Sequence, residues 1–253
     1  MAKQMRVDRP VVDIRRGPNF KSELLSQALY SQGVTVLKAH SGYVRVKCAD
    51  GYVGWARIDH LSARKREVPG HMVDVPSAAL LDGSTGKFVG RLSFGTYINI
   101  VEKREAFGRI SFLDRDAWIS KGCVRTIPKK RLGWKAISTY LENLIGTPYV
   151  WGGRSGFGLD CSGLVQLVFN SCGFSLKRDS VDQRKSGRTV SLRNIRPGDL
   201  TFSPGHVAVY FGKGKILHAS ARAGGVYLEN LFPELPDSRS DIYDKIELVK
   251  RVI

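Results

Sequence analysis

The sequence predicts an α+β chain in which two tandem small β-barrels precede a mixed α+β domain. Three observations carry that prediction. Apolar residues alternate with a period of two in short runs between residues 33 and 119, and the runs recur at a fixed offset. Beyond residue 131 the period changes to roughly 3.6. A cysteine then opens an apolar helical stretch, and a hairpin bearing two histidines follows it. With 253 residues and 42% hydrophobic content, the chain is long enough for two or three separate cores.

In the first β module, Gly33-Val34-Thr35-Val36-Leu37, Tyr43-Val44-Arg45-Val46 and Val53-Gly54-Trp55-Ala56 alternate as half-buried strands do, with Ser41-Gly42 and Asp50-Gly51 as turns. In the second, Gly95-Thr96-Tyr97-Ile98-Asn99-Ile100, Gly108-Arg109-Ile110-Ser111-Phe112 and Ala117-Trp118-Ile119 repeat the scheme. Gly33 to Gly95 spans 62 residues and Trp55 to Trp118 spans 63, so one unit is used twice. Domains are expected at 1–66, 67–128 and 129–253. In the third, Leu132, Ala136, Tyr140 and Leu144 line one face of a helix that Gly146 and Pro148 end. Tyr149-Val150-Trp151-Gly152-Gly153-Arg154 is too glycine-rich for regular structure. From Cys161 onward Leu164, Val165, Val168 and Phe169 form a helical stripe that stops at Gly173.

Composition excludes several classes. No apolar stretch approaches the roughly 20 residues of a membrane helix, so no transmembrane segment is expected. The N-terminus lacks the apolar core of a secretory signal, which predicts a cytoplasmic protein or a mature form. Cys48, Cys123, Cys161 and Cys172 are too few and too scattered for a disulfide framework, and no C-x-x-C pair marks zinc. Neither metal nor cofactor is expected. The net charge is +17, with +12 in residues 1–131 (24 basic, 12 acidic) and +5 in residues 132–253 (16 basic, 11 acidic). The densest runs, Arg64-Lys65-Arg66 and Lys129-Lys130-Arg131, fall at the expected boundaries, and no nucleic-acid-binding motif accompanies them. No nucleic acid is expected; attraction to some other anionic partner is.

The chemistry concentrates in the last domain. A thiol attacks carbonyls as thiolate, and its ordinary pKa of about 8.5 leaves little thiolate at neutral pH. At a helix N-terminus, the unpaired N–H groups and the macrodipole are expected to lower that value and to hold a tetrahedral oxyanion. Of the five histidines only His206 and His218 follow Cys161, and both fall on one hairpin. If Gly212-Lys213-Gly214 is the loop, cross-strand partners sum to 426 and the two histidines are diagonal neighbours on one face. A two-residue Lys213-Gly214 loop makes the sum odd and separates them, barring a bulge. On a shared face, His206 is the candidate general base for Cys161, and His218 fixes its tautomer.

These residues resemble two known families. The first β module, with Arg15-Arg16-Gly17-Pro18 and Gly54-Trp55, is similar to bacterial SH3-like repeats; the second lacks the opening and the glycine before Trp118. Residues 133–253 resemble the NlpC-type cell-wall peptidases of papain-like fold. The resemblance rests on Gly146-Thr147-Pro148-Tyr149-Val150-Trp151-Gly152-Gly153, Asp160-Cys161-Ser162-Gly163-Leu164, Pro197-Gly198-Asp199-Leu200-Thr201-Phe202, His206-Val207-Ala208-Val209-Tyr210 and His218-Ala219-Ser220. It implies an SH3-like pair followed by a papain-like catalytic domain. It also implies a cysteine endopeptidase that cleaves the γ-D-glutamyl bond to diaminopimelate or lysine in peptidoglycan stem peptides.

The resemblance further implies Cys161 as nucleophile, His206 as base, His218 as the third polar residue and Tyr149 as an oxyanion partner. Members with SH3-like repeats recognise a free amino terminus on L-alanine. Asp160, Ser162 and Tyr52 are the matching substrate-binding residues here. Such a requirement agrees with a cytoplasmic recycling role, while a late step outside the membrane is the alternative. The basic front half is expected to contact an anionic cell wall. The rival readings are an amidase or acyltransferase on the same site, or a non-catalytic wall-binding protein.

Overall fold

In the computed structural model, residues 3–63 and 68–253 are described. The Arg64-Lys65-Arg66 run and the boundary expected at residue 66 lie outside them. The chain forms two units: Met1–Ile127 with Ser155–Phe157, and Pro128–Arg154 with Gly158–Ile253.

The first unit holds both β modules. Strands β1 (Gln4–Val7), β2 (Val11–Arg15), β3 (Leu24–Leu29), β4 (Gly33–His40), β5 (Tyr43–Cys48), β6 (Val53–Arg57) and β7 (Leu61–Ser62) make one sheet, ordered β3-β2-β6-β5-β4-β1-β7. Ser41 and Gly42 turn β4 into β5 with positive φ of 45° and 79°, the hairpin turn their sequence requires. Val12, Ile14, Val34, Val44, Val46 and Ala56 are the alternate residues that fill its core. In the second module, β8 (His71–Val73), β9 (Ser77–Leu81), β10 (Phe88–Ser93), β11 (Tyr97–Ile98), β12 (Glu102–Lys103), β13 (Phe107–Phe112), β14 (Arg115–Ser120) and β15 (Val124–Thr126) divide into two sheets. Their orders are β10-β9-β14-β13-β12 and β11-β8-β15.

The repeat is visible in the elements. Each module has a hairpin ending in its tryptophan strand, a three-residue 3-10 turn (Ile58–His60, Lys121–Cys123) and a short closing strand. Trp55 and Trp118 are both buried, at 8% and 7% exposure. The sheet orders are open, so the expected pair of tandem barrels gives way to two open-sheet modules. The physical reason is clearest in the second copy. Where residues 95–100 were expected as one strand, Gly95 takes φ 78° and only Tyr97 and Ile98 join a ladder. Tyr30 of the first module enters the second module's core, donating a hydrogen bond of 3.0 Å to the Ser111 carbonyl.

The second unit contains helices α1 (Trp134–Asn143), α2 (Cys161–Ser171), α3 (Ser180–Gln183) and α4 (Ser240–Tyr243). The short strands β16 (Arg154–Ser155) and β17 (Gly158–Leu159) pair with each other. Strands β18 (Arg188–Val190), β19 (Leu200–Ser203), β20 (His206–Gly212), β21 (Lys215–Ser220), β22 (Gly225–Asn230) and β23 (Leu248–Arg251) form a sheet ordered β18-β23-β19-β20-β21-β22. Ala208, Tyr210 and Ile216 pack with Leu231 and Ile242, and the alternate residues Val207, Val209 and Leu217 are fully buried as well. Both faces of the central strands are therefore covered, and α2 packs on β20 and β21. Asp199, in the turn before β19, is fully buried in a two-pronged pair with Arg251 (2.7 and 2.6 Å) that ties the turn to β23. Among the described residues, no helix is long and apolar enough to cross a membrane.

Candidate active site

The start of α2 is fixed by side-chain and backbone contacts together. Asp160 has extended backbone (φ −97°, ψ 176°), and its carboxylate accepts from the Gly163 N–H at 2.7 Å, which makes it the helix N-cap. The Gly152 N–H donates to the other oxygen at 2.9 Å, and the Asp160 N–H donates to the Gly153 carbonyl at 3.2 Å. A Cβ on Gly163 would stand 2.1 Å from that same carbonyl oxygen, so only glycine lets the helix sit this close to the loop. Arg178, buried with a side-chain exposure of 2%, pairs with Asp160 at 2.6 and 3.0 Å and donates to Ser162 Oγ at 2.9 Å. Ser162 Oγ in turn donates to Asp160 at 3.3 Å. Two of the three residues implied for amine recognition are thus already joined to an arginine.

Cys161 is the first helical residue and is buried at 8% exposure. The N–H groups of Val207 and Ser162 reach its sulfur and favour the thiolate, as does Arg178. Burial outweighs them. Together with the Asp160 charge it pushes the thiol up to about 11, where the helix N-terminus alone was expected to lower it. Tyr149 is pushed up to about 12, by burial first and then by the neighbouring Cys161 and Asp160, so it stays a protonated donor beside the sulfur.

The hairpin combines the two loop alternatives. The turn is the two-residue Lys213-Gly214, with φ of 52° and 74°, and a bulge between Tyr210 and Gly212 restores the pairing of Val209 with Leu217 and Tyr210 with Ile216. Those partners sum to 426, so His206 and His218 share a face. Their rings meet at 2.8 Å, His206 Nε2 to His218 Nδ1. His218 Nε2 contacts the Glu229 carboxylate on β22. An ionised carboxylate only accepts, so His218 Nε2 carries the proton, its Nδ1 accepts from His206 Nε2–H, and His206 Nδ1 is left as the bare nitrogen. Burial, then His218 and Arg239, hold His206 down at about 4. At neutral pH the site therefore rests as a thiol and a neutral imidazole.

Cys161, Asp160, Ser162, Tyr149, His206 and His218 all lie in the second unit. Tyr52 belongs to the first, half-buried against its module's core. Sequence reasoning did not single out Arg178, Glu229 or Arg239. Glu229 had a signal: in Gly225-Val226-Tyr227-Leu228-Glu229-Asn230 it stands two residues beyond Tyr227, the cross-strand partner of His218, and so on the same face.

The NlpC/P60 family matches residues 146–240, and the bacterial dipeptidyl-peptidase SH3 domain matches residues 14–61. A γ-D-glutamyl-L-lysine dipeptidyl-peptidase of Bacillus subtilis (strain 168) is 30% identical over 231 residues, covering 84% of this chain and 78% of the relative. One of the same name from Bacillus cereus is 29% identical over 227 residues, covering 78% and 68%. In fold, the chain is similar to the crystal structure of an NlpC/P60 family protein from Bacillus cereus, with a TM-score of 0.87 at 22% identity over 98% of this chain and 99% of the other. The helix-borne cysteine, the paired histidines and these matches agree: the chain belongs to the NlpC/P60 family of cysteine peptidases and carries a bacterial SH3 domain ahead of its catalytic domain.

Proposed function

We propose that the protein hydrolyses the bond from the γ-carboxyl of D-glutamate to lysine or diaminopimelate in peptidoglycan stem peptides that begin with L-alanine. The observation that carries the chemistry is the 2.8 Å bond between His206 and His218, which leaves one unprotonated ring nitrogen for the thiol of Cys161. The names of the two Bacillus relatives support the substrate class. In the reaction, His206 Nδ1 takes the thiol proton as sulfur attacks the γ-carbonyl, and helix N–H groups and the Tyr149 hydroxyl stabilise the oxyanion. The proton passes to the leaving amine as the C–N bond breaks, giving a thioester. Water then attacks, again with His206 as base, and Cys161 recovers its proton.

Recognition of a free L-alanine amine is assigned to Asp160, Ser162 and Tyr52, the last on resemblance alone. Because Arg178 already pairs with Asp160, an ammonium arrives as an additional partner of a satisfied carboxylate. The preference for free over muramic-acid-linked peptide is therefore modest rather than absolute. The test is product mass after incubation with L-Ala-γ-D-Glu-L-Lys, its diaminopimelate counterpart, and the muramic-acid-linked forms. Release of L-Ala-D-Glu supports the proposal. Transfer products or ammonia release favour an acyltransferase or amidase, and unchanged peptide overturns the peptidase reading of this substrate.

A further inference from the structure

The histidine pair does not end the hydrogen-bonded chain. Glu229 accepts from His218 Nε2–H, and the same carboxylate oxygen accepts from Arg239 Nη1 at 2.6 Å. Arg239, at the N-terminus of α4, is itself held by Asp241 through two bonds of 2.8 and 2.9 Å, and its N–H donates to the Asn230 carbonyl at 2.7 Å. Its side chain is 10% exposed and that of Glu229 is 24%. Both histidines donate toward Glu229, and Arg239 donates to it from the other side. Two histidine rings alone are indifferent to direction, since either tautomer of the pair makes the same bond; reversed, the proton sits on His206 Nδ1 and the base is lost.

Resting on the peptidase reading of Cys161, His206 and His218, we infer that Glu229, anchored by Arg239, is the positioning residue that sets both histidine tautomers and so keeps Nδ1 of His206 bare as the base. When His206 becomes imidazolium, the Glu229 charge lies one ring away and stabilises it without taking a proton. Glu229 stays ionised because His218 and Arg239 donate to it. The titratable and charged groups that act on His206 are His218, Arg239, Glu229 and Asp241.

The test uses the full chain with Glu229→Leu and Glu229→Gln. In the wild type, ring nitrogen NMR should show protonated Nε2 and bare Nδ1 on both His206 and His218 at neutral pH. Glu229→Leu removes the acceptor. It should mix in the Nδ1–H tautomers and lower kcat on L-Ala-γ-D-Glu-L-Lys about 100-fold, with KM within about twofold. Glu229→Gln keeps a carbonyl oxygen that Arg239 and His218 can both hold, so it should retain the tautomers and lose about tenfold in kcat. Unchanged tautomers and kcat in Glu229→Leu would overturn the inference, as would equal loss in both variants with wild-type tautomers. If Glu229→Leu does not fold, tautomers or kcat of Glu229→Gln outside these bounds overturn it. If the wild type leaves the peptide intact, the peptidase reading fails while the ring NMR still decides the role of Glu229.

Discussion

At the scale of single residues, the thiol and its base are set by burial more than by the helix that carries the thiol. Cys161 at about 11 and His206 at about 4 move apart, so the resting pair is neutral and, in the proposed mechanism, the nucleophile forms only as substrate is attacked. Iodoacetamide labelling of Cys161 in the free protein should climb with pH through the ordinary thiol range toward about 11; a plateau across neutral pH would mean a preformed thiolate and contradict this. His206 also links folding to pH. Its folded pKa lies below its ordinary 6.5, so the unfolded chain binds the extra proton first. Stability from this residue is complete above pH 6.5 and falls as pH drops toward 4, by on the order of 3 kcal/mol. Urea midpoints measured from pH 7 down to 4, compared with His206→Gln, read that slope directly. An identical slope in the variant would assign it elsewhere.

At the scale of elements, the N-terminus of α2 is a buried ionic knot as much as a dipole. Removing Arg178 leaves Asp160 charged and buried, so Arg178→Met should cost about 3–5 kcal/mol in chemical denaturation. A loss below about 1 kcal/mol would show that water replaces the guanidinium. The sequence made α2 legible, because the apolar stripe from Cys161 onward and Gly173 after it mark both ends. It left the hairpin open between two registers. Positive φ at Lys213 and Gly214 favours the two-residue turn, while the shared face of the histidines needs the bulge, and residue types in the strands do not reveal a bulge. Arg178 was illegible, because it meets Asp160 and Ser162 only through loop folding, 18 and 16 residues away, with no periodic signature. Glu229 was legible only once the register is known, since the period of two places it on the face of His218, 11 residues away.

At the scale of the whole molecule, the period-two runs and their repeat located both β modules, and the change to helical period located the catalytic unit. Closure of the modules was not legible, since it depends on which strand edges pair, and residues 95–100 break their ladder at a glycine. The net charge of +17, most of it before residue 132, predicts an attraction to anionic polymer that salt should screen. Co-sedimentation with isolated cell wall should fall steeply between low salt and about 0.5 M; binding indifferent to salt would point to uncharged contacts instead. In the proposed reaction a thioester on Cys161 lies on the path to hydrolysis of a γ-D-glutamyl peptide. The most direct measurement is the intact mass of protein quenched with acid during turnover of L-Ala-γ-D-Glu-L-Lys. An L-alanyl-γ-D-glutamyl group added on Cys161 and free lysine in solution are expected, with neither formed by Cys161→Ala. Hydrolysis that continues in Cys161→Ala would contradict it.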